Sequence, residues 1–231
     1  MLMDMSSTTD RSVAASRLMT MLKLQDDINS KINPAWVTAQ NAWYRAIWTE
    51  CAEMMDHVGW KWWKKKEPAL GQVHLELVDI FHFGLSELIV AAGSIDDAWH
   101  ASHAAYQRIE AAPQGSKAEP GQVLQLVEDF ASSTLTTKSF ALDSFAELCA
   151  AVGLVGDQLY RTYIGKNVLN AFRQDHGYKD GGYLKLWGGR EDNEWLAEIE
   201  LTIDSTSETF PQELYGALEQ AYRAHSGVQA R

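Results

Sequence analysis

The stretch that decides the fold is Leu75-Glu76-Leu77-Val78-Asp79-Ile80-Phe81-His82-Phe83. It contains no glycine or proline and is apolar on nearly every side. Such a run reads as a helix buried at the centre of a bundle. Yet it carries two acids three residues apart, Glu76 and Asp79, which share one helix face. Carboxylates on a buried helix must be paired or must coordinate metal. An earlier segment repeats the pattern, because Glu50-x-x-Glu53 lies in RAIWTECAEMMDHV (45–58). If these two helices pack antiparallel, four carboxylates converge in the bundle core. Four hard oxygen donors suit Mg²⁺ or Mn²⁺. A single ExxE is more often a solvated face, since Glu and Asp are rarely buried. Two such motifs on consecutive helices, one of them in an apolar run, carry more weight.

Outward from this pair, apolar spacing near 3.6 residues predicts helices over 11–30, 40–57, 72–91, 94–108, 122–132, 139–151, 154–174, 191–203 and 211–224. Gly93 reads as a helix stop, and Ser94 with Asp97 as a capping box for the next helix. No alternating strand pattern competes. The expected fold is all-α, a helical bundle with a four-carboxylate metal site between core helices. Residues 1–231 read as a single domain. Within it, AAPQGSKAEPGQ (111–122) is a mobile surface linker, and the Gly- and Tyr-rich stretch near 177–189 is a lid-like loop.

Composition narrows the function. The chain has 231 residues, 46% of them hydrophobic, as expected of a packed globular protein. Its formal net charge is −11, and no basic footprint for a nucleic-acid polymer is visible. Acidity does not exclude a nucleotide, because a bound metal inverts the local charge logic. Cys51 and Cys149 make no disulfide framework and read as reduced thiols. The N-terminal MLMDMSSTTDR does not read as a signal peptide. No stretch approaches a membrane span. A soluble, cytoplasmic protein is expected.

Other residues could complete a nucleotide pocket. Phe83 stands two turns above Glu76, and His82 lies near Asp79 on the same helix. Taken singly, they would be core residues. Gln25 and Asn29, four apart, offer donors and acceptors to a base edge. The loop Trp60-Lys61-Trp62-Trp63-Lys64-Lys65-Lys66 combines three indoles with four ammonium groups. It could wall a base and meet phosphate, or form an aromatic plug with snorkelling lysines. Lys166, Asn170 and Arg173 fall on one helical stripe that could cradle a polyphosphate or simply face water. Lys179, Lys185 and Asn193 could add contacts.

The blocks LQDDIN, RAIWTECAEMMDHVGWKWWK, LELVDIFHF and YIGKNVLNAFRQDHGYKDGGYLKLWGGREDN together resemble the dimeric dUTPases. These belong to the all-α NTP pyrophosphatase superfamily, with the MazG-like enzymes. The resemblance runs from about Leu24 to Asn193, and residues 94–150 carry no matching motif. It implies that Glu50, Glu53, Glu76 and Asp79 hold Mg²⁺, two or more ions, with Mn²⁺ able to substitute. It implies that Gln25 and Asn29 read uracil, Phe83 stacks on it and His82 lies near the deoxyribose. Trp60 and Lys61 would line the pocket, and Lys166, Asn170, Arg173, Lys179 and Asn193 would grip phosphates. The implied reaction is hydrolysis of dUTP, and of dUDP, to dUMP by a homodimer, with attack on the β-phosphorus. That activity limits uracil incorporation into DNA and supplies dUMP for dTMP synthesis. Two other readings stay open: a pyrophosphatase for dCTP or another nucleotide, and a non-catalytic dUTP-binding regulator.

Overall fold

The computed structural model describes residues 5–64, 67–115 and 118–226, with side chains from Val13 onward. Lys65 and Lys66 of the basic loop, residues 116–117 of the linker and the first four residues lie outside these ranges. The chain divides into two compact units, Met1–Leu159 and Tyr160–Arg231. Among the described residues it is helical almost throughout, as expected of an all-α protein.

The first unit holds α1 (Met5–Ile32), α2 (Trp43–Val58), α3 (Leu70–Ala92), α4 (Ile95–Glu110), α5 (Pro120–Thr137) and α6 (Leu142–Val152). α3 is its central helix, packed against α1, α2, α4 and α6. Its buried face includes Leu77, Val78, Ile80, Phe81 and Leu85. Phe81 stacks on Phe145 of α6 with centroids 4.8 Å apart and lies 6.4 Å from Tyr106 of α4. Gly84 is required where it stands, because an added Cβ would lie 2.8 Å from the Phe140 ring. α3 ends on Gly93 at φ +85. Ser94 then caps α4, accepting from the Asp97 backbone N–H at 3.1 Å and donating to its carboxylate at 2.7 Å. The linker is shorter than its composition suggests, because Pro120 takes the first turn of α5, where its missing N–H costs nothing. α5 runs five residues further than expected, with Thr134 buried in its last turn.

α2 and α3 run antiparallel in a seven-residue register. Trp43 meets Phe83 at 6.3 Å, Glu50 meets Glu76, and the His57 carbonyl accepts the Ala69 N–H at 2.9 Å. Each seven-residue step up α2, 43 to 50 to 57, is matched by one down α3, 83 to 76 to 69. Seven residues are close to two turns, so each set forms one stripe on its helix.

The second unit takes up α7 (Gly156–Asp175) from Tyr160 and adds α8 (Asp192–Glu200) and α9 (Phe210–His225). A two-residue hairpin, β1 (Leu186–Trp187) with β2 (Arg190–Glu191), turns at Gly188 and Gly189, both at positive φ. Phe172 is the centre of its core, ringed by Tyr183, Trp187, Tyr215 and Tyr222. The glycine-rich loop is therefore anchored from Tyr183 on, with Trp187 fully buried and Tyr183 nearly so. Among the described residues no helix is long and apolar enough to cross a membrane.

Candidate active site

The acids gather between α2 and α3. Glu50, Glu76 and Asp79 each place a carboxylate oxygen within 4.8 Å of the other two. Glu76 is only 9% exposed. The Glu50 carboxyl is pushed up to about 7, first by burial, then by the charges of Asp79, Glu53 and Glu76. Like charges so arranged repel unless a proton or a cation sits among them. The donor set therefore fits a hard divalent ion, which takes carboxylate oxygens and completes its shell with water or phosphate.

Glu53 does not join that triad. The buried stripe of α2 is Ile47, Cys51, Met54 and Val58. Glu50 flanks this stripe, whereas Glu53 stands about 60° further round the helix, toward solvent. It is exposed and lines an open groove of about 480 Å³ with Trp48, Asp56, Trp60 and Lys61. Its charge still reaches Glu50.

The groove also settles the form of the tryptophan loop. Trp60 donates its indole N–H to Asp56 at 3.0 Å, and the Lys61 ammonium pairs with the same carboxylate. Trp63 packs edge-on against both Trp60 and Trp62. Trp62 is 88% exposed, so the loop is no plug.

At the other end of the register, Gln25 and Asn29 of α1 reach α3. The Gln25 amide donates to Asn29 at 3.3 Å and to the Ser86 hydroxyl at 3.0 Å, and the Asn29 amide donates to the same hydroxyl at 2.8 Å. Ser86 donates in turn to the His82 carbonyl at 2.9 Å. Phe83 is half-buried against Trp43, whose ring meets Trp36 edge-on at 6.0 Å. Trp36 donates its indole N–H to Asp26 at 3.0 Å. The His82 ring is buried, its Nδ1 at 2.8 Å from the Val78 carbonyl, one turn back on the same helix. Amides, aromatic rings and His82 thus occupy neighbouring faces, with the rings of Trp43 and Phe83 about 10 Å or two turns along their helices from Glu50 and Glu76, and His82 within one turn of Asp79.

Sequence reasoning missed Ser86 and Trp43. Ser86 was detectable as a hydroxyl one turn beyond His82 on an apolar helix. Trp43 was detectable as the residue seven before Glu50.

In the second unit, Lys166 and Asn170 are half-buried on α7, and Lys179 and Asn193 are exposed. Arg173 has a partner that its own helix does not reveal. It binds both oxygens of Asp192, from Nε at 2.8 Å and Nη2 at 2.8 Å. Asp192 is fully buried and also accepts from the Tyr183 hydroxyl at 2.8 Å. Burial works against the Arg173 charge, but the Asp192 bonds win and hold its pKa above the ordinary value. Arg173 Nη2 also lies 3.5 Å from Asn193 Oδ1, so these two candidates do come together. Lys185 pairs with Glu191 at 3.7 Å. Both cysteines are free and buried, and burial followed by the Glu50 charge pushes Cys51 up to about 12.

A search among curated proteins found no match. A family model described as dUTPase matches residues 17–178, which takes in α2, α3, the acid triad and the amide pair but ends before Lys179 and Asn193. With more than half of its length matched, and the acids of that match gathered between two core helices, the chain belongs to the dUTPase family.

Proposed function

We propose that the protein hydrolyses dUTP to dUMP and pyrophosphate, and dUDP to dUMP, in a Mg²⁺-dependent reaction. The observation that carries this reading is the triad of Glu50, Glu76 and Asp79 on α2 and α3, with the Trp43–Phe83 rings two helical turns along the same pair and the Gln25 and Asn29 amides of α1 bonded to α3 at Ser86. Glu50, Glu76 and Asp79 would hold the metal, with Glu53 turning in from the groove. Two or more ions suit so many carboxylates, and Mn²⁺ substitutes. Bound metal neutralises charge on the phosphate oxygens.

The chain's own groups do the rest. Glu50 or Glu53 accepts a hydrogen bond from the attacking water and aims its oxygen at the phosphorus. Gln25 and Asn29, braced by Ser86, present donors and acceptors to the uracil edge. Cytosine offers the wrong donor pattern there and leaves buried polar groups unpaired. Phe83 stacks on the base, His82 lies beside the deoxyribose, and a tight wall at uracil C5 leaves no room for the thymine methyl. Trp60 and Lys61 close the pocket from the groove side. Lys166, Asn170, Arg173, Lys179 and Asn193 are proposed phosphate contacts, acting within one protomer or across a homodimer. Residues 177–182, ahead of the buried Tyr183, are the segment proposed to close over substrate. All of 1–231 is proposed to serve one dUTPase domain in the cytoplasm, limiting uracil in DNA and supplying dUMP for dTMP synthesis.

The test offers dUTP, dCTP, dTTP, dATP, dGTP and UTP to the protein with Mg²⁺ or with EDTA, and measures pyrophosphate and monophosphate release. Hydrolysis of dUTP alone is expected, abolished by EDTA. Glu76→Gln should lose about a thousandfold or more, because a metal ligand supplies several kcal/mol of transition-state stabilisation. Preference for dCTP or another nucleotide would overturn the base-reading roles. Tight dUTP binding without turnover would establish the regulatory alternative.

A further inference from the structure

The last turn of α2 holds a residue that none of the roles above uses. His57 Nε2 lies 3.3 Å from Glu76 Oε1. We propose that His57 is a positioning residue for the acid site: its imidazole fixes the Glu76 carboxylate in the orientation that receives a divalent cation. The inference rests on reading the acid triad as a metal site.

The chemistry assigns the tautomer. An ionised carboxylate only accepts hydrogen bonds, so the ring nitrogen facing Glu76 carries the hydrogen. The opposite nitrogen, Nδ1, is buried, and no hydrogen-bond partner faces it among the described residues. The ring therefore has one polar contact in reach, and that contact is a candidate metal ligand. Its placement is fixed from both sides. His57 lies seven residues beyond Glu50 on the same stripe of α2, and its carbonyl accepts the Ala69 N–H at 2.9 Å, which ties it to the start of α3. Asp56, immediately before it, holds Trp60 and Lys61. Gly59, at φ +90, ends the helix two residues later.

A donor is needed at this point. Three carboxylates crowded together repel one another, and a donor beside Glu76 offsets that charge and restrains its carboxylate about the terminal torsion. A ring nitrogen 3.3 Å from one oxygen restrains the plane of the group before any ion arrives. Removing such outer partners of metal ligands typically weakens metal affinity by about 10–100-fold.

The test measures Mn²⁺ binding to the full chain by electron paramagnetic resonance of the free ion. Wild type, His57→Leu, His57→Asn and His57→Gln are compared. The Gln amide nitrogen reaches the place of Nε2, whereas the Asn amide stops at the place of Nδ1. Leu and Asn should weaken Mn²⁺ binding about 10–100-fold, and Gln should stay within about threefold of wild type. If Leu does not fold, the Asn–Gln contrast alone decides. His74→Leu is the structural control, because His74 bonds the Val152 carbonyl at 3.0 Å, away from the acid triad's own contacts. It should lower thermal stability and leave Mn²⁺ affinity unchanged. A folded Leu or Asn variant that binds Mn²⁺ like wild type, or a Gln variant as weak as Asn, overturns the proposal alone. A wild-type protein that binds no Mn²⁺ overturns the metal-site reading, and this proposal with it.

Discussion

The charged stripes of the two units look alike in sequence and end differently. On α2 and α3, Glu50, Glu76 and Asp79 crowd together until one carboxyl holds its proton to about 7. On α7, the corresponding charge, Arg173, is met by a buried aspartate that binds it with two hydrogen bonds. The first arrangement gathers like charge at one point and suits a cation from outside. The second is neutralised from within the unit, and the same aspartate ties Tyr183, midway along the glycine-rich loop, to α7. A stripe of like charge is thus read not by its own residues but by what the fold brings opposite it.

Neutralising Asp192 and neutralising Glu50 should therefore have opposite signs. Asp192→Ala leaves the part-buried Arg173 unpaired and should cost about 3–5 kcal/mol, read as a fall in the urea midpoint. The double variant Arg173→Met with Asp192→Ala should recover part of that loss. Additive losses would show that the pair is not the unit described.

A smaller effect is expected at Glu200. Burial pushes its carboxyl up to about 7, against the opposing charge of Arg161. In the unfolded chain it ionises near the ordinary value of 4.5. Below that pH both states are protonated, and the group costs nothing. As pH rises toward 7 the unfolded chain ionises first, so stability falls, with the full penalty above 7. Glu200→Gln should be more stable than wild type at pH 8, on the order of 2 kcal/mol, and equal to it at pH 4. An equal gain at both pH values would remove the charge from the explanation.

The smallest effect should come from Glu50→Gln in metal-free protein. Relief of crowding should raise stability at pH 8 by about 1 kcal/mol, while Mn²⁺ binding is lost. A fall in stability would mean that the triad is as self-satisfied as the Arg173 pair.

Much of this was legible in the sequence. The helices followed from periodicity, and the α3 acids stood out because nothing around Glu76 and Asp79 is polar enough to explain them. The cap at Ser94 and the stop at Gly93 are local chemistry and appeared where expected. What escaped depended on rotation or on distant partners. Glu53 is three residues from Glu50, yet the buried stripe of α2 turns it outward. Asp192 is nineteen residues from Arg173, at the start of another helix. Ser86 and His57 act by touching other helices, and although their spacing sets them on the right faces, it does not name the partners they meet. The split at Leu159–Tyr160 falls within α7, where composition does not change.

The seven-residue register of α2 and α3 also bears on how such a chain can vary. Between 69 and 83, three stations are kept in line by one periodicity: a helix start, an acid and a ring. One residue inserted between Asp79 and Phe83 would swing the ring about 100° off the stripe while leaving the acids in place. The same insertion in the 59–69 loop would move none of them along the stripe. Length changes should therefore be tolerated outside the paired helices and excluded within them, so that the chain can lengthen at its loops while the span from ring to acid stays constant.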